Sequence, residues 1–235
     1  MKLTKYYSAF KTIILYDKIG RQIRKVFLNH IERNRLRNSN FTIFSQNCIG
    51  SIWYHDLGQR FCSPTINMKF RPDDFVKFLE NIDHYLKTDI NFLKNSDKPY
   101  PVGLLDDVYI EFVHYHSETE VLKKWIERKN RINWNNVCYI ACDGGMSENA
   151  KKKYLDLPIN NKVLFTADPF IADSEYSMYV GGGKVPDYKR CSIVYAGGSH
   201  DSIGADARLL NFCSIFGHRY YNRLFDYVNF LNSLK

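Results

Sequence analysis

Short apolar runs alternate with helix-like segments from residue 41 onward, and this alternation constrains the fold more than any other feature of the sequence. Four of the runs predict β-strands, because β-branched and aromatic residues dominate them. These runs cover residues 41–45, 108–115, 136–143 and 162–168. Strands that alternate with helices usually form a mainly parallel sheet. We therefore predict an α/β protein with a three-layer α/β/α arrangement, either Rossmann-like or flavodoxin-like.

Helix signals separate the predicted strands. The segment 71–87 carries an apolar stripe and predicts one long helix, which Asp73 can cap and which Pro72 precedes. Ser117 and Glu120 stand in the spacing of a capping box, which predicts the start of the next helix. The other predicted elements are helices over 49–57, 118–131, 147–155, 205–214 and 219–234, a loop with a short extended piece over 63–70, and a strand over 191–198.

Basic charge is concentrated at the amino terminus. Residues 1–38 carry ten lysine and arginine residues against two acidic ones, a balance of +8 that equals the net charge of the whole chain. Apolar residues recur here at helical spacing, which predicts a basic amphipathic arm over 1–38, followed by a single α/β domain over 39–235. The arm either lies on the domain with its basic face in water or contacts an anionic membrane. No sequence pattern favours nucleic acid, so we expect no nucleic-acid partner.

The six cysteines do not indicate a disulfide framework, because the chain has 235 residues and starts without a secretory signal. No apolar run reaches the roughly 20 residues that span a bilayer. We expect a cytoplasmic protein, whose contact with the inner face of the membrane would be peripheral. Cys138 and Cys142 lack a second ligand pair at zinc spacing, so no metal site is predicted there.

Polar residues follow the predicted strands, at the edge where parallel sheets bind ligands. Cys48 stands at a helix start, where it is either a nucleophile with a histidine as its base or a structural thiol. His114 and His116 share a strand face and would contact a metal, a polar ligand or the core. Asp143 precedes a glycine turn and is the favoured acid, as a base or as a ligand of a divalent cation.

Two glycine-rich stretches are candidates for binding phosphate. The stretch 181–184 is followed by Pro186 and lacks the spacing of a nucleotide-binding loop, and 197–204 makes no complete dinucleotide fingerprint. Both are interpreted either as plain loops or as phosphate contacts, with Lys184 or Arg190 neutralising the phosphate.

Several motifs stand together in one order: "SQNCIGSIWYHDLG", "FCSPTINMKF", "NKVLFTADPF" and "FDYVNFLN". In this the chain resembles a bacterial family of unknown-function domains labelled exopolysaccharide or capsular polysaccharide biosynthesis proteins, over about residues 20–168 and the last 20. The resemblance implies an α/β/α fold and a link to surface glycans, but no established reaction. The chain departs from the family at Ile49 and Ser51, where members carry an aromatic residue and a glycine. The matching positions are Asn47, Cys48, Gly50, Ser63, Pro64, Thr65, Pro101, Gly103, His114, Tyr115 and Ser117.

Three functions follow as hypotheses. The first is a transferase of surface-polysaccharide assembly that uses a sugar or nucleotide-sugar, with a divalent cation as its expected cofactor. The second is a non-enzymatic partner in the same pathway, and the third is a hydrolase or acyltransferase that depends on Cys48. The predicted catalytic residues are Asp143, His116 and Cys48, and the predicted ligand-binding residues are Asn47, Gly50, Ser63, Thr65, His114, Ser117 and Asp168.

Overall fold

The computed structural model describes residues 15–166, 177–179, 213–219 and 225–234. The described strands are β1 (Thr42–Ser45), β2 (Lys69–Phe70), β3 (Ile90–Phe92), β4 (Val102–Leu105), β5 (Val108–Glu111), β6 (Val137–Cys142), β7 (Lys162–Thr166) and β8 (Ser177–Tyr179). The described helices are α1 (15–35, with a π-helical turn at Arg24–Leu28), α2 (Ile49–Asp56), α3 (Pro72–Glu80), α4 (Ile82–Lys87), α5 (Glu118–Lys129), α6 (Glu148–Asp156) and α7 (Tyr227–Ser233).

A parallel sheet forms the centre of the fold, in the order β1, β6, β7, β8. Every residue of β1 and β7 is buried, as expected for parallel strands covered on both faces. Alternate side chains of these strands enter two separate apolar clusters, one shared with α2 and α7 and the other with α3 and α6. The predicted α/β class and parallel sheet are confirmed, and the three-layer Rossmann-like arrangement stays a prediction.

The run 108–115 does not join the parallel sheet, and its assignment there was wrong. Its ordered part, β5, lies in a separate antiparallel sheet in the order β2, β5, β4, β3. Only Asp106 and Asp107 separate β4 from β5, and Asp106 has a positive φ of 54°. A two-residue turn of this kind forms a hairpin, which requires antiparallel strands. Strands β3, β4 and β8 were not predicted.

The segment 71–87 is two helices rather than one. Asn81 leaves helical geometry with φ −144° and ψ 52°, so α3 ends before it and α4 begins after it. Asp73 does not cap α3, because Arg71 holds the capping position and uses no side-chain bond. The Asp73 carboxylate instead accepts a bond of 2.8 Å from the Ser147 N–H, which ties α3 to the start of α6.

The predicted helix starts at Ser117 and Ser147 are confirmed. Ser117 Oγ accepts from the Glu120 N–H, and Ser147 Oγ accepts from the Ala150 N–H. At the carboxyl end, the predicted helix over 219–234 is confirmed only over α7, which begins after the capping residue Asp226; Arg219 forms an isolated bridge instead, and residues 220–224 lie outside the described residues. Of the predicted helix over 205–214, only the last two residues are described, and Cys213 forms an isolated bridge there; the predicted strand over 191–198 lies outside the described residues.

Helix α1 is held on the domain by buried charges. Arg24, only 1% exposed, donates to Asp56 at 2.8 Å and to Glu32. Arg219 donates two hydrogen bonds to the same Asp56 carboxylate, of 2.6 and 3.0 Å. Tyr227 donates to Glu32 at 2.6 Å. Among the described residues, two guanidinium groups thus contact two carboxylates, and this cluster joins α1, α2, α7 and the segment 213–219.

The outward face of α1 is apolar as well as basic. Val26 and Phe27 are each 62% exposed and Ile31 is 52% exposed, while Lys18 and Lys25 are also exposed. The arm was interpreted as a helix with its basic face in water, and this describes only part of its outward surface, which is also apolar. The inward face carries the buried charged cluster. No helix in the described ranges is both long and apolar enough to cross a bilayer. The boundary at residues 38 and 39 stays a prediction.

Candidate functional site

The carboxyl ends of β1, β6 and β7 bring predicted site residues to one edge of the parallel sheet. Asn47 follows β1, and its side-chain amide donates to Cys142 Sγ, the last residue of β6, at 3.5 Å. Asp143 follows directly and accepts a hydrogen bond from Thr166 Oγ1 at the end of β7. Cys48 stands next to Asn47 at the start of α2. This edge is the place where parallel sheets bind their ligands.

Cys48 and His114 are in direct contact, with 3.4 Å between Sγ and Nε2. His114 reaches this edge although β5 belongs to the other sheet. The Phe70 N–H of β2 donates to the Gln46 carbonyl at 2.9 Å, so the antiparallel sheet begins where β1 ends. Because β5 pairs with β2, the loop after β5 returns to Cys48, and Tyr115 Oη fixes this loop by donating to the Ile66 carbonyl at 2.9 Å.

The surroundings of Cys48 keep its sulfur protonated at rest. Burial raises the pKa of the Cys48 thiol, and the positive charge of Lys69 acts against this without reversing it. The thiol is half-buried, whereas the His114 ring beside it is exposed. A thiol of this kind becomes a nucleophile when a neighbouring base removes its proton.

The backbone amides that begin α2 have partners inside the protein. The Ile49 N–H donates to Asn47 Oδ1 at 3.0 Å, and the Gly50 N–H donates to Ser45 Oγ at 3.2 Å. Two of the amides that would cradle a phosphate are therefore occupied. Gly50 has a packing role, because a Cβ atom at this position would lie 2.8 Å from Ser45 Cβ and 3.0 Å from a methyl group of Ile43. Ligand binding by Gly50 stays a prediction.

Ser63 and Thr65 are fully buried beside the outer edge of β1. Their hydroxyl oxygens lie 3.0 Å apart, and Thr65 Oγ1 accepts the Ser45 N–H at 3.0 Å. Since β1 is the first strand of its sheet, this hydroxyl takes the place of a neighbouring strand. The geometry gives both residues a structural role, and their predicted contact with a ligand stays a prediction.

Asp143 is only 1% exposed, so its carboxylate lies in the protein interior beside Thr166. The neighbouring Cys142 N–H donates to Gln46 Oε1 at 2.7 Å, which locks the ends of β1 and β6 together. In the part of the chain that the structure describes, no three histidine, cysteine, aspartate or glutamate side chains cluster as metal ligands. A cation held by Asp143 stays a prediction.

Two of the remaining predicted residues stand at the start of α5, and the others lie outside the described residues. His116 is exposed and donates its backbone N–H to Glu120 at 3.0 Å, and Ser117 uses its hydroxyl as the helix cap. Asp168, Lys184, Arg190 and the glycine-rich segments at 181–184 and 197–204 lie outside the described residues.

Gln46 and Thr166 belong to the set that the rule for strand ends selects, and both bind neighbouring strand ends. One residue of this edge, Lys69, was missed. Lys69 acts on Cys48 from β2, a two-residue strand, and no sequence signal placed it beside the thiol.

Comparison with known proteins supports the expected kind of family and identifies no activity for its members. A protein of Haemophilus influenzae, named only as uncharacterized, is 33% identical to this chain over 221 residues, which are 92% of this chain and 98% of that protein. The profile of a domain of unknown function, DUF1919, matches residues 19–232. The expected resemblance to a family of unknown-function domains is confirmed, and its link to exopolysaccharides stays a prediction. Because the profile covers nearly the whole chain, this protein belongs to the DUF1919 family of domains of unknown function.

Proposed function

We propose that this protein is a thiol-dependent acyl-transfer enzyme in which Cys48 is the nucleophile and His114 is its base. The observation that carries the proposal is the 3.4 Å contact between Cys48 Sγ and His114 Nε2. A thiol and an imidazole within hydrogen-bond reach are the minimum that nucleophilic catalysis by cysteine requires. The exposed ring of His114 and the half-buried thiol leave the pair open to a substrate.

The reaction starts from the neutral thiol, because burial raises the pKa of Cys48. Nε2 of His114, unprotonated in the tautomer that carries hydrogen on Nδ1, takes the thiol proton while Sγ bonds to the carbonyl carbon of an acyl donor. The adduct collapses to a thioester, and the imidazolium gives its proton to the departing group. An acceptor hydroxyl then loses its proton to Nε2, bonds to the acyl carbon and displaces the Cys48 sulfur, which takes the proton back.

Two neighbours support this chemistry. The side-chain amide of Asn47 stabilises the negative oxygen that forms on the acyl carbon. In the resting protein this amide donates to Cys142 Sγ. Because thiol sulfur is a weak acceptor, the oxyanion readily takes its place. Lys69 favours the Cys48 thiolate during the attack, because its charge acts to lower the thiol pKa.

We propose sugar hydroxyls of surface-polysaccharide assembly as the acceptors, which makes the protein an acyltransferase of glycans. The motif resemblance supports this substrate class. Transfer of a glycosyl group from an activated sugar has less support, because it requires an accessible acid, and Asp143 is 1% exposed and bonded to Thr166. A scaffold in the same pathway would not need a cysteine in contact with a histidine.

The test is hydrolysis of p-nitrophenyl acetate by the purified protein, with four variants. Cys48→Ala removes the nucleophile and is expected to leave only the buffer rate. His114→Gln is expected to lower the rate about 100-fold or more, the usual contribution of a general base. The matched controls are Cys62→Ala, another half-buried thiol, and His30→Gln, an exposed imidazole on α1; both should keep the wild-type rate. Equal rates for the wild type and Cys48→Ala would refute the proposal.

We also propose that the outward face of α1 contacts an anionic membrane surface. Its outward face combines the exposed apolar side chains of Val26, Phe27 and Ile31 with the cations Lys18 and Lys25. Apolar side chains enter the interface between headgroups and acyl chains, and each cation near an anionic surface contributes about 1 kcal/mol. The buried Arg24 cluster supports this proposal, because it holds the helix so that the apolar face points away from the domain.

A further inference from the structure

A cavity of about 300 Å³ lies between the segment that follows α2 and the second half of α5. It is separate from the Cys48 contact, because Cys48 precedes α2 and the cavity begins beyond the other end of that helix. Eight residues of α-helix, the length of α2, span about 12 Å. The lining residues are Gln59, Arg60, Phe61, Lys124, Glu127, Arg128 and Arg131.

The lining is strongly basic. Four of its seven side chains are lysine or arginine and one is an acid, which leaves an excess of three positive charges. Glu127 already binds two of the cations, Lys124 at 3.2 Å and Arg131 at 3.4 Å. The hydrogen bond from Lys124 lowers the pKa of Glu127 despite partial desolvation, so this acid stays ionised at neutral pH. Arg60 forms no ion pair with another residue of the described ranges, and its charge faces the cavity unbalanced.

Arg128 lies beside the cavity and is held there by partners inside the protein. It is only 5% exposed, and Nη1 donates to the Ile66 carbonyl at 3.1 Å and to Tyr115 Oη. Among the described residues Arg128 forms no ion pair with a carboxylate, so its charge stays available to an anion in the cavity.

We propose that this cavity is a binding site for a small ligand that carries a phosphate group. Guanidinium groups bind phosphate oxygens with paired, charge-assisted hydrogen bonds, and Arg60, Arg128 and Arg131 bring three of them to one cavity. Lys124 adds a point charge, and the Phe61 ring, 5.2 Å from the Arg128 guanidinium carbon, gives the ligand an apolar wall. The volume of this cavity is in the range of pockets that bind small molecules.

The test is isothermal titration of the full-length protein with inorganic pyrophosphate, at an ionic strength matched with sodium chloride. We expect one equivalent to bind, and Arg60→Gln and Lys124→Gln to weaken that binding about tenfold each, the loss of one charge-assisted contact. Lys152→Gln is the matched control, because it removes the same charge from an exposed site on α6 and should not change the affinity. Arg60 is itself exposed, so its replacement should leave the melting temperature unchanged.

Two results would overturn the proposal. The first is a wild-type titration that matches the sodium chloride blank. The second is equal weakening by Lys152→Gln and Arg60→Gln, which would indicate diffuse attraction to a basic protein. Because Cys48 lies outside this cavity, Cys48→Ala should bind pyrophosphate as the wild type does, and failure of the proposed acyl-transfer activity would leave this site unaffected.

Discussion

Cys48 Sγ and His114 Nε2 lie 3.4 Å apart although the strands that precede them, β1 and β5, belong to different sheets. The thiol comes from the end of the parallel sheet and the imidazole from the antiparallel sheet. The bond between the Phe70 N–H and the Gln46 carbonyl joins the two sheets at this point. The proposed chemistry therefore depends on how the antiparallel sheet is attached, and not on the parallel sheet alone.

The reactivity of Cys48 toward iodoacetamide should rise with pH beyond the ordinary thiol range. Burial raises the pKa of this thiol above its ordinary value of 9.0, and only the thiolate reacts. We expect slow labelling at neutral pH and a rate that still increases above pH 9, followed by mass spectrometry of the Cys48 peptide. A plateau below pH 8 would contradict the account, since it would reveal a lowered pKa.

The Lys69→Gln variant tests how the charge of Lys69 affects the Cys48 pKa, with the same labelling measurement. The Lys69 charge acts to lower the Cys48 pKa, so its removal should raise that pKa further and slow the labelling at any pH below it. Lys152→Gln, which removes an exposed lysine from α6, should label at the wild-type rate. Faster labelling in Lys69→Gln would mean that the lysine shields the thiol instead of stabilising its thiolate.

Asp56→Asn should destabilise the fold strongly. The variant removes the negative charge that both Arg24 and Arg219 bind in the interior, and breaking a buried ion pair in this way costs about 3–5 kcal/mol. Urea unfolding at neutral pH measures this loss, with Asp89→Asn as an exposed control. A loss below about 1 kcal/mol, which is what an exposed ion pair contributes, would contradict the claim that this buried cluster stabilises the fold.

The lowered pKa of Asp56 predicts how the free energy of unfolding depends on pH. Burial alone would raise the pKa of Asp56, but the hydrogen bonds and charges of Arg219 and Arg24 outweigh it and lower the pKa. The stabilisation is therefore present above the pKa of the unfolded chain, about 3.9, and disappears as the pH falls through the lower pKa of the folded state. The difference in unfolding free energy between wild type and Asp56→Asn should shrink on acidification through this window.

The positions of β1, β5, β6 and β7 were predictable from the sequence, but those of β3, β4 and β8 were not, and neither was the assignment of strands to sheets. β1, β6 and β7 are buried on both faces, so their continuous apolar runs identified them. β5 has the same composition, and its apolar run gave no sign of a different sheet. The available signal was the turn at Asp106 and Asp107, which joins β4 to β5 as a hairpin.

The candidate site was predictable only in part, for a physical reason. Asn47, Cys48 and Asp143 follow parallel strands, so the rule for strand ends placed them together. His114 was expected at this edge because β5 was thought to be parallel, and it arrives there through β2 instead. The bonds of Ser63 and Thr65 with the edge of β1 depend on tertiary contacts that no local pattern records.

Gly50→Ala should destabilise the packing of α2 on β1. The new methyl group would meet Ser45 Cβ at 2.8 Å, and overpacking of a close contact costs about 1–3 kcal/mol. Thermal unfolding tests this, with Asn149→Ala on the exposed face of α6 as the control. Unchanged stability in Gly50→Ala would show that the helix shifts freely, and would weaken the assignment of Gly50 to packing.

The double variant Val26→Ser/Phe27→Ser should lose affinity for anionic vesicles. Burial of a single apolar side chain of this size is worth about 1.5–3 kcal/mol, so we expect at least about a tenfold loss in a flotation experiment with phosphatidylglycerol vesicles. Leu122→Ser/Ile126→Ser is the matched control, because it removes two exposed apolar side chains from α5. Equal flotation on neutral vesicles, or equal losses in both double variants, would contradict a specific role of α1.

The most direct test of the central claim is the mass of the protein after brief reaction with p-nitrophenyl acetate and acid quenching. The account predicts one added acetyl group, located on the Cys48 peptide, absent in Cys48→Ala and formed far more slowly in His114→Gln. Cys62→Ala should acquire the acetyl group as the wild type does, because Cys62 lies outside the Cys48 and His114 pair. Acetylation of lysines alone, or of Cys48 at an equal rate in His114→Gln, would contradict the claim that these two residues act together.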